Sequence, residues 1–181
     1  MSQINIQYFK SEYGELILGA YQQQLCLCDW RYRKMRKQVD VRVQRLLDAC
    51  YVEQSDPVIE QTVSQLEEYF AGTRQSFSVD LCLAGTEFQQ QVWRELIGIE
   101  YGQRATYAEL ATKMGNLKAI RAVAAANGAN AISIIVPCHR IIGSDGKLVG
   151  YAGGLAAKQK LLELESQTIG ADGMTQSMSL F

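Results

Sequence analysis

The order of apolar and polar positions divides this chain into a strand-like part and a helical part. Residues 4–9 and 15–20 (ELILGA) run apolar over strand lengths, and LCLCDW at 25–30 predicts a third strand. Gly14 and the polar YQQQ mark the turns between them. The stretch RYRKMRKQVDVRVQRLLDACY is basic at first and amphipathic afterwards. The favoured reading is a solvated helix face or loop, with DNA contact as the alternative. Residues 57–71 predict a helix ended by Gly72, and residues 76–83 predict a further strand before a boundary near Ala84-Gly85.

From Thr86 onward the period becomes helical. TEFQQQVWRELIGI places apolar residues at 88, 92, 93, 96, 97 and 99. Thr106-Tyr107-Ala108-Glu109 has the form of a capping box, with Thr at the N-cap and Glu at N3. The helix that follows stops at Gly115, Asn116-Leu117 make a turn, and KAIRAVAAAN predicts a second helix ended by Gly128. Helix, glycine turn and helix outline a helix-turn-helix. Ala122, Ala124, Ala125 and Ala126 leave the second helix nearly bald, with Arg121 its one long cation. Such a surface suits tight helix packing and close approach to a groove about equally.

The chemistry concentrates in IIVPCHRIIG, residues 134–143. ISIIVP predicts a buried strand that Pro137 terminates, which stands Cys138 and His139 at a strand end. His139 is the only histidine. A lone cysteine is usually a small buried apolar group, but a neighbouring imidazole can lower a thiol pKa from its usual value of about 8.5. A third member follows from helical geometry. If Leu155–Glu165 is a helix, then Leu155, Ala157, Leu161, Leu162 and Leu164 form its apolar arc, and Gln159, Lys160 and Glu163 its polar arc. Glu165 falls within the apolar arc, and a buried carboxylate needs a partner. His139 is the only imidazole available to it. A Cys–His–Glu relay is the preferred reading, and a carboxylate at a frayed helix end is the alternative.

PCHR, the preceding NAISIIV, the following GYAGGLAAKQKLL and the upstream FQQQVWRELIGIEYGQRATYAELA together resemble the O6-alkylguanine-DNA alkyltransferases over residues 86–165. The likeness is looser before that. It implies an α+β or α/β protein: an N-terminal domain over 1–84 with a small antiparallel sheet and helix, and a mainly helical domain over 85–168 that contains the helix-turn-helix. It further implies that Cys138 accepts the alkyl group, that His139 and Glu165 complete the relay, and that Asn130 pins the turn bearing the cysteine. Tyr107 would donate to guanine N3 as guanine leaves, and Arg121 would fill the gap left by the flipped nucleotide. Thr106, Lys118, Ala119, Ala126 and Asn127 would contact double-stranded DNA from its minor groove. Tyr151, Ala152, Gly153 and the backbone near Ile141 would line the base pocket. Two departures bear on substrate range: Ala152 stands where other members carry serine, and Glu100 where they carry proline.

The reaction so implied is direct reversal of DNA damage. The base is extruded from the duplex, sulfur displaces guanine from the alkyl carbon, and the stable thioether leaves the protein spent after one turnover. The likeness leaves open whether O4-alkylthymine is also a substrate. A cysteine hydrolase with the same three residues and a non-catalytic lesion-binding protein are the alternatives. No cofactor is expected. Nor is a metal, because residues 1–84 hold no histidine and their cysteines lack C-x-x-C spacing.

Composition adds limits. Net charge is −1, with 9 basic and 11 acidic residues over 1–85 against 9 and 7 over 86–165, so a DNA-binding surface must be local. Five irregularly spaced cysteines argue against a disulfide framework and for a reducing, cytoplasmic setting. No apolar run is long enough to span a membrane, and no secretory signal is expected at the start. The polar stretch 169–181 is expected to be a flexible tail, and its last residues, Ser177–Phe181, resemble short peptides that dock on sliding clamps.

Overall fold

Four strands and two helices build the first half. The computed structural model describes the backbone of residues 1–178 and the side chains of residues 1–171. Strands β1 (Ser2–Ser11), β2 (Gly14–Tyr21) and β3 (Gln24–Trp30) form an antiparallel meander. Helix α1 (Arg36–Leu47) then carries the chain back to β4 (Ala49–Glu53), which lies parallel to β1. The sheet order is β3-β2-β1-β4, so the sheet is mixed where an antiparallel one was expected. The reason is connectivity: α1 is a crossover, and a crossover returns a strand in the same direction as its neighbour.

Both faces of this sheet are buried. Val39 and Val43 of α1 cover Ile4, Ile6, Ile17 and Leu27 on one face. Leu16, Leu18, Leu25, Cys28 and Trp30 on the other face join α2 (Pro57–Phe70) and the second half in one continuous core. Asp56 caps α2 by accepting from Val58 N, with Pro57 at the first helical position. Residues 76–83 are not a strand. They run extended beside β3 with one bridge, Leu25 to Leu81, which satisfies the backbone there without a ladder.

The second half is helical. Helix α3 (Glu87–Ile97) opens on a Thr86–Gln89 capping box. Helix α4 (Tyr107–Lys113) opens on the expected Thr106–Glu109 box, and Gly115 follows it at φ +75°. The second helix of the pair begins later than expected: Leu117–Ala119 form a 3-10 turn, and α5 spans Ile120–Gly128.

ISIIVP is a compact turn rather than a strand. Ile132 bridges to Cys28, Ser133 N donates to Cys28 O, and Ile134 sits at φ +72°. That region is unfavourable for a β-branched residue, so the surrounding packing holds it there. The apolar run is fully buried, which is why it reads as a strand in one dimension. Helix α6 (Leu155–Met178) completes the fold and continues past residue 168, where a flexible tail was expected to begin. Ile169 lies against Gly102, so packing continues beyond that boundary. Ser177–Phe181 lies outside the residues whose side chains are described. No helix among the described residues is long and apolar enough to cross a membrane.

Candidate active site

Asn130 sets the geometry of the Cys138 turn. Its Nδ2 donates to Val136 O at 2.9 Å, and its Oδ1 accepts from Ile132 N at 2.9 Å, closing the 130–136 loop on itself. Pro137 then leads into a 3-10 turn, Cys138–Arg140. Cys138 reaches the floor of a cavity of about 750 Å³, whose walls include Tyr107, Asn127 and Tyr151. Cys138 is only 4% exposed. Burial pushes its thiol up to about 11, with the Asn130 side chain partly opposing. An activated, low-pKa thiol was anticipated from the adjacent histidine; the sulfur is instead protonated at rest, because loss of hydration outweighs its polar neighbours.

Behind it the expected relay partners meet. His139 Nε2 lies 2.8 Å from Glu165 Oε1, and both side chains are fully buried. Glu165 projects inward from α6, as the helical arc requires. Two residues on that helix depart from the expected arcs. Leu155 is half exposed. Lys158, which neither arc included, is fully buried, and its Nζ donates to Val149 O at 2.9 Å. Burial lowers the Lys158 ammonium to about 8.

The carboxylate has more support than the sequence suggests. Arg140 donates to it from Nε and Nη2, at 3.1 and 2.9 Å for the shortest contacts. Tyr69 of α2 donates its phenol to Oε1 at 2.7 Å, and Gly102 N donates to Oε2 at 3.1 Å. Burial alone would raise the Glu165 pKa, but His139 and Arg140 overcome it and hold the carboxyl at about 2. Burial lowers the His139 pKa, with Glu165 opposing. These facts fix the tautomer. An ionised carboxylate only accepts, so Nε2 carries the ring proton and Nδ1 presents its lone pair. Nδ1 is buried and has no hydrogen-bond partner in the structure. A neutral imidazole with a free lone pair has the chemistry of a general base, and His139 follows Cys138 directly in the chain.

The other anticipated residues divide into two groups. Tyr151, Ala152 and Gly153 line the cavity. Trp30 of β3 backs them: its ring meets Tyr151 edge-on at 5.9 Å, and a Cβ on Gly153 would stand 2.5 Å from Trp30 Cε2. Ile141 is not part of that wall. It is fully buried and joins Ala105 in a short bridge, tying the chain after Cys138 to the start of α4. On α5, Arg121 is exposed, as is Lys118 on the preceding turn, while Ala119 is half-buried. Ala126 is buried, with its carbonyl accepting from Trp93 Nε1, so it faces the core and not a groove. Asn127 is also buried and turns toward the cavity, its Nδ2 3.4 Å from the Tyr107 phenol. Thr106 Oγ is engaged as the α4 cap. Burial, with Cys138 nearby, raises the Tyr107 pKa and keeps its proton available as a donor.

Tyr69, Arg140, Trp30 and Arg33 were not anticipated. Arg140 was visible as the last residue of PCHR, but the others reach the site from the N-terminal half without a local signal. Arg33 donates to Asp29, to Asn130 O at 3.1 Å and to Gly128 O at 2.6 Å. The Asp29 carboxylate is fully buried and also receives Arg36 and Ser133 Oγ. Three of the basic residues read as solvated are therefore structural, since Arg42 likewise donates to Ala129 O. Among the described residues no cluster of three or more His, Cys, Asp or Glu side chains is placed to hold a metal ion.

Residues 4–83 match the model of the 6-O-methylguanine DNA methyltransferase ribonuclease-like domain, and residues 87–167 that of the DNA-binding domain. The chain is 44% identical over 157 residues to a methylated-DNA–protein-cysteine methyltransferase of Methanosarcina acetivorans, covering 87% of this chain and 95% of that protein. It is 52% identical over 109 residues to the Mycobacterium leprae protein of the same name, a match to 60% of this chain and 66% of that one. Among solved structures it resembles Mycobacterium tuberculosis OGT in complex with DNA, with a TM-score of 0.77, 38% identity and coverage of 91% and 94% of the two chains.

Proposed function

The chain belongs to the 6-O-methylguanine DNA methyltransferase family, and from that premise we propose how its residues perform the transfer. The protein repairs DNA by moving the alkyl group of O6-alkylguanine onto Cys138, once per molecule. Pairing of His139 with an ionised Glu165 carries this reading, because it leaves Nδ1 as the base available to the thiol.

An alkylated O6 faces the interior of the duplex, so the base must leave the stack before sulfur can reach it. Extrusion costs a few kcal/mol, which Arg121, entering from the minor groove, offsets by filling the gap. Tyr151, Ala152 and Gly153 then hold the base against the cavity wall. His139 Nδ1 takes the Cys138 proton, through one water. Sulfur attacks the alkyl carbon in line, the C–O6 bond breaks, and its electron pair departs with guanine. The Tyr107 phenol donates to guanine N3 and disperses that charge. Glu165 stays ionised throughout and stabilises the imidazolium. Ala152 brings no hydroxyl, so backbone N–H groups are left to meet O6. The thioether carries no leaving group that a water could displace at ordinary rates, and the protein is consumed.

Mass spectrometry of the intact chain after incubation with a duplex containing O6-methylguanine tests this. One added methyl per chain is expected, and none in Cys138→Ser. Substrate turnover without a mass gain would identify a hydrolase. Tight binding with neither would identify a lesion-binding module.

A further inference from the structure

The segment between β3 and α1 stands at the mouth of the Cys138 cavity, and none of the roles above uses its outward side chains. Tyr32, Lys34 and Met35 line the same cavity as Cys138, Tyr107 and Tyr151. Tyr32 is 76% exposed and Met35 50%. The Arg31 guanidinium lies 5.3 Å from the Tyr32 ring centroid, and a largely exposed aromatic ring and a thioether beside a cavity mouth are suited to lie on a flat, apolar face such as a nucleobase.

The charge of this lip has the same bias. Five cations fall within residues 31–37, and no acidic residue lies between Asp29 and Asp40. Three of the five are committed internally: Arg31 to Glu15, Arg33 to Asp29, and Arg36 to Asp29 and Asp40. Lys34, which lines the cavity, and Lys37, which lies outside it at the start of α1, are exposed and form no ion pair among the described residues. Met35 is the N-cap of α1, gives no side-chain cap, and is followed by a first turn without acidic residues. The positive end of a 12-residue helix is therefore uncompensated at the cavity rim.

The lip is also rigidly joined to the helix-turn-helix. Arg33 grips the carbonyls of Gly128 and Asn130, at the end of α5 and beside the loop that positions Cys138. Exposed Arg121 on α5 and the lip are thus parts of one body. A nucleotide seated in the cavity remains attached to the strand on both sides, so its flanking phosphates must cross the rim.

We propose that Tyr32–Lys37 is a second DNA-contacting element supplied by the N-terminal half, in which Lys34 and Lys37 bind phosphates flanking the extruded nucleotide and Tyr32 with Met35 covers its base. This rests on the transfer reading above. Continuity with the Cys138 cavity selects DNA as the occupant over an acidic protein or a second copy of the chain.

The test compares two methyl donors, an O6-methylguanine duplex and the free O6-methylguanine base, which has no phosphates. In the full-length Lys34→Gln/Lys37→Gln variant the second-order rate with duplex should fall about tenfold at moderate salt. The slope of log rate against log salt should shrink by about 1.8, corresponding to two lost phosphate contacts. The rate with free base should fall much less than the rate with duplex. Tyr32→Ala should slow both donors. Unchanged duplex rate and salt slope in the double variant overturn the proposal, and so does an equal loss on both donors, which would mean damage to the cavity. A wild-type chain that gains no methyl from either donor overturns the transfer reading and the lip with it. A normal wild type beside an unaltered double variant overturns the lip alone.

Discussion

Replacing Tyr69 with phenylalanine isolates one support of the relay. The ring keeps its aromatic neighbours Phe70, Phe77 and Tyr101, at centroid distances of 5.6, 5.6 and 6.0 Å, so packing is preserved. What is lost is one 2.7 Å donor to the Glu165 carboxylate and a longer 3.5 Å contact with His139 Nε2. A hydrogen bond to a charged group contributes about 1.5–3 kcal/mol, and the variant no longer has to desolvate a phenol, so a net loss of about 1–2 kcal/mol follows. For a chain of this size that lowers Tm by about 2–8 °C.

The pH dependence separates charge from packing. The Glu165 carboxyl is held at about 2 in the fold against an ordinary 4.5. A depressed carboxylate adds stability above its unfolded pKa and loses it as pH falls through the folded one. The phenol belongs to that contribution, so the deficit of Tyr69→Phe should be full at pH 7 and shrink as pH falls from 4.5 toward 2. Urea unfolding at several pH values measures this. A deficit of equal size at every pH would refute the account, since only packing would then have changed. The transfer rate should fall less than about tenfold, because His139 still donates to the same carboxylate and the lost support is a fraction of a catalytic interaction worth about 10²–10⁴. A loss as deep as that of His139→Ala would place Tyr69 in the proton path itself.

Other outcomes follow from the same contacts. Gly153→Ala drives a methyl into the Trp30 indole and should cost about 1–3 kcal/mol in thermal melting while slowing transfer through displacement of the cavity wall. Arg33→Leu leaves the buried Asp29 carboxylate with Arg36 as its remaining cation and should cost roughly 3 kcal/mol in urea unfolding, with Arg33→Lys recovering only part, because a lysine cannot span Asp29 and both carbonyls. Since burial lowers the His139 pKa below its usual 6.5, the single-turnover rate should hold level down to that pH and decline only beneath it, as the base becomes protonated. A decline that begins above pH 7 would show that His139 is not the base.

Much of the site was legible along the chain. The Thr106 and Glu109 cap, the strands at 4–9, 15–20 and 25–30, and the inward turn of Glu165 each depend on residues within a few positions of one another. Side-chain period and capping chemistry act over that range. PCHR makes the cysteine and the histidine chain neighbours. Burial without period misled, as ISIIVP shows: an apolar run states that a segment is inside, and a strand and a buried turn satisfy that equally. The same limit applied to Ala126, whose small side chain fits a groove or a helix interface.

The sequence by itself nominated a nucleophile, a base and a carboxylate to orient the base, because local geometry and chain adjacency bring those three residues into consideration. Only the tertiary structure decided that the resting thiol is protonated, that Tyr69 and Arg140 hold Glu165, and that the basic segment after β3 folds onto the cavity rim. Those outcomes rest on pairs such as Tyr69 with Glu165, Arg33 with Asn130 and Asp29 with Ser133, which are 96, 97 and 104 residues apart. A charge or a pKa is set by whatever surrounds a group in space, and no periodicity along the chain encodes neighbours that far away.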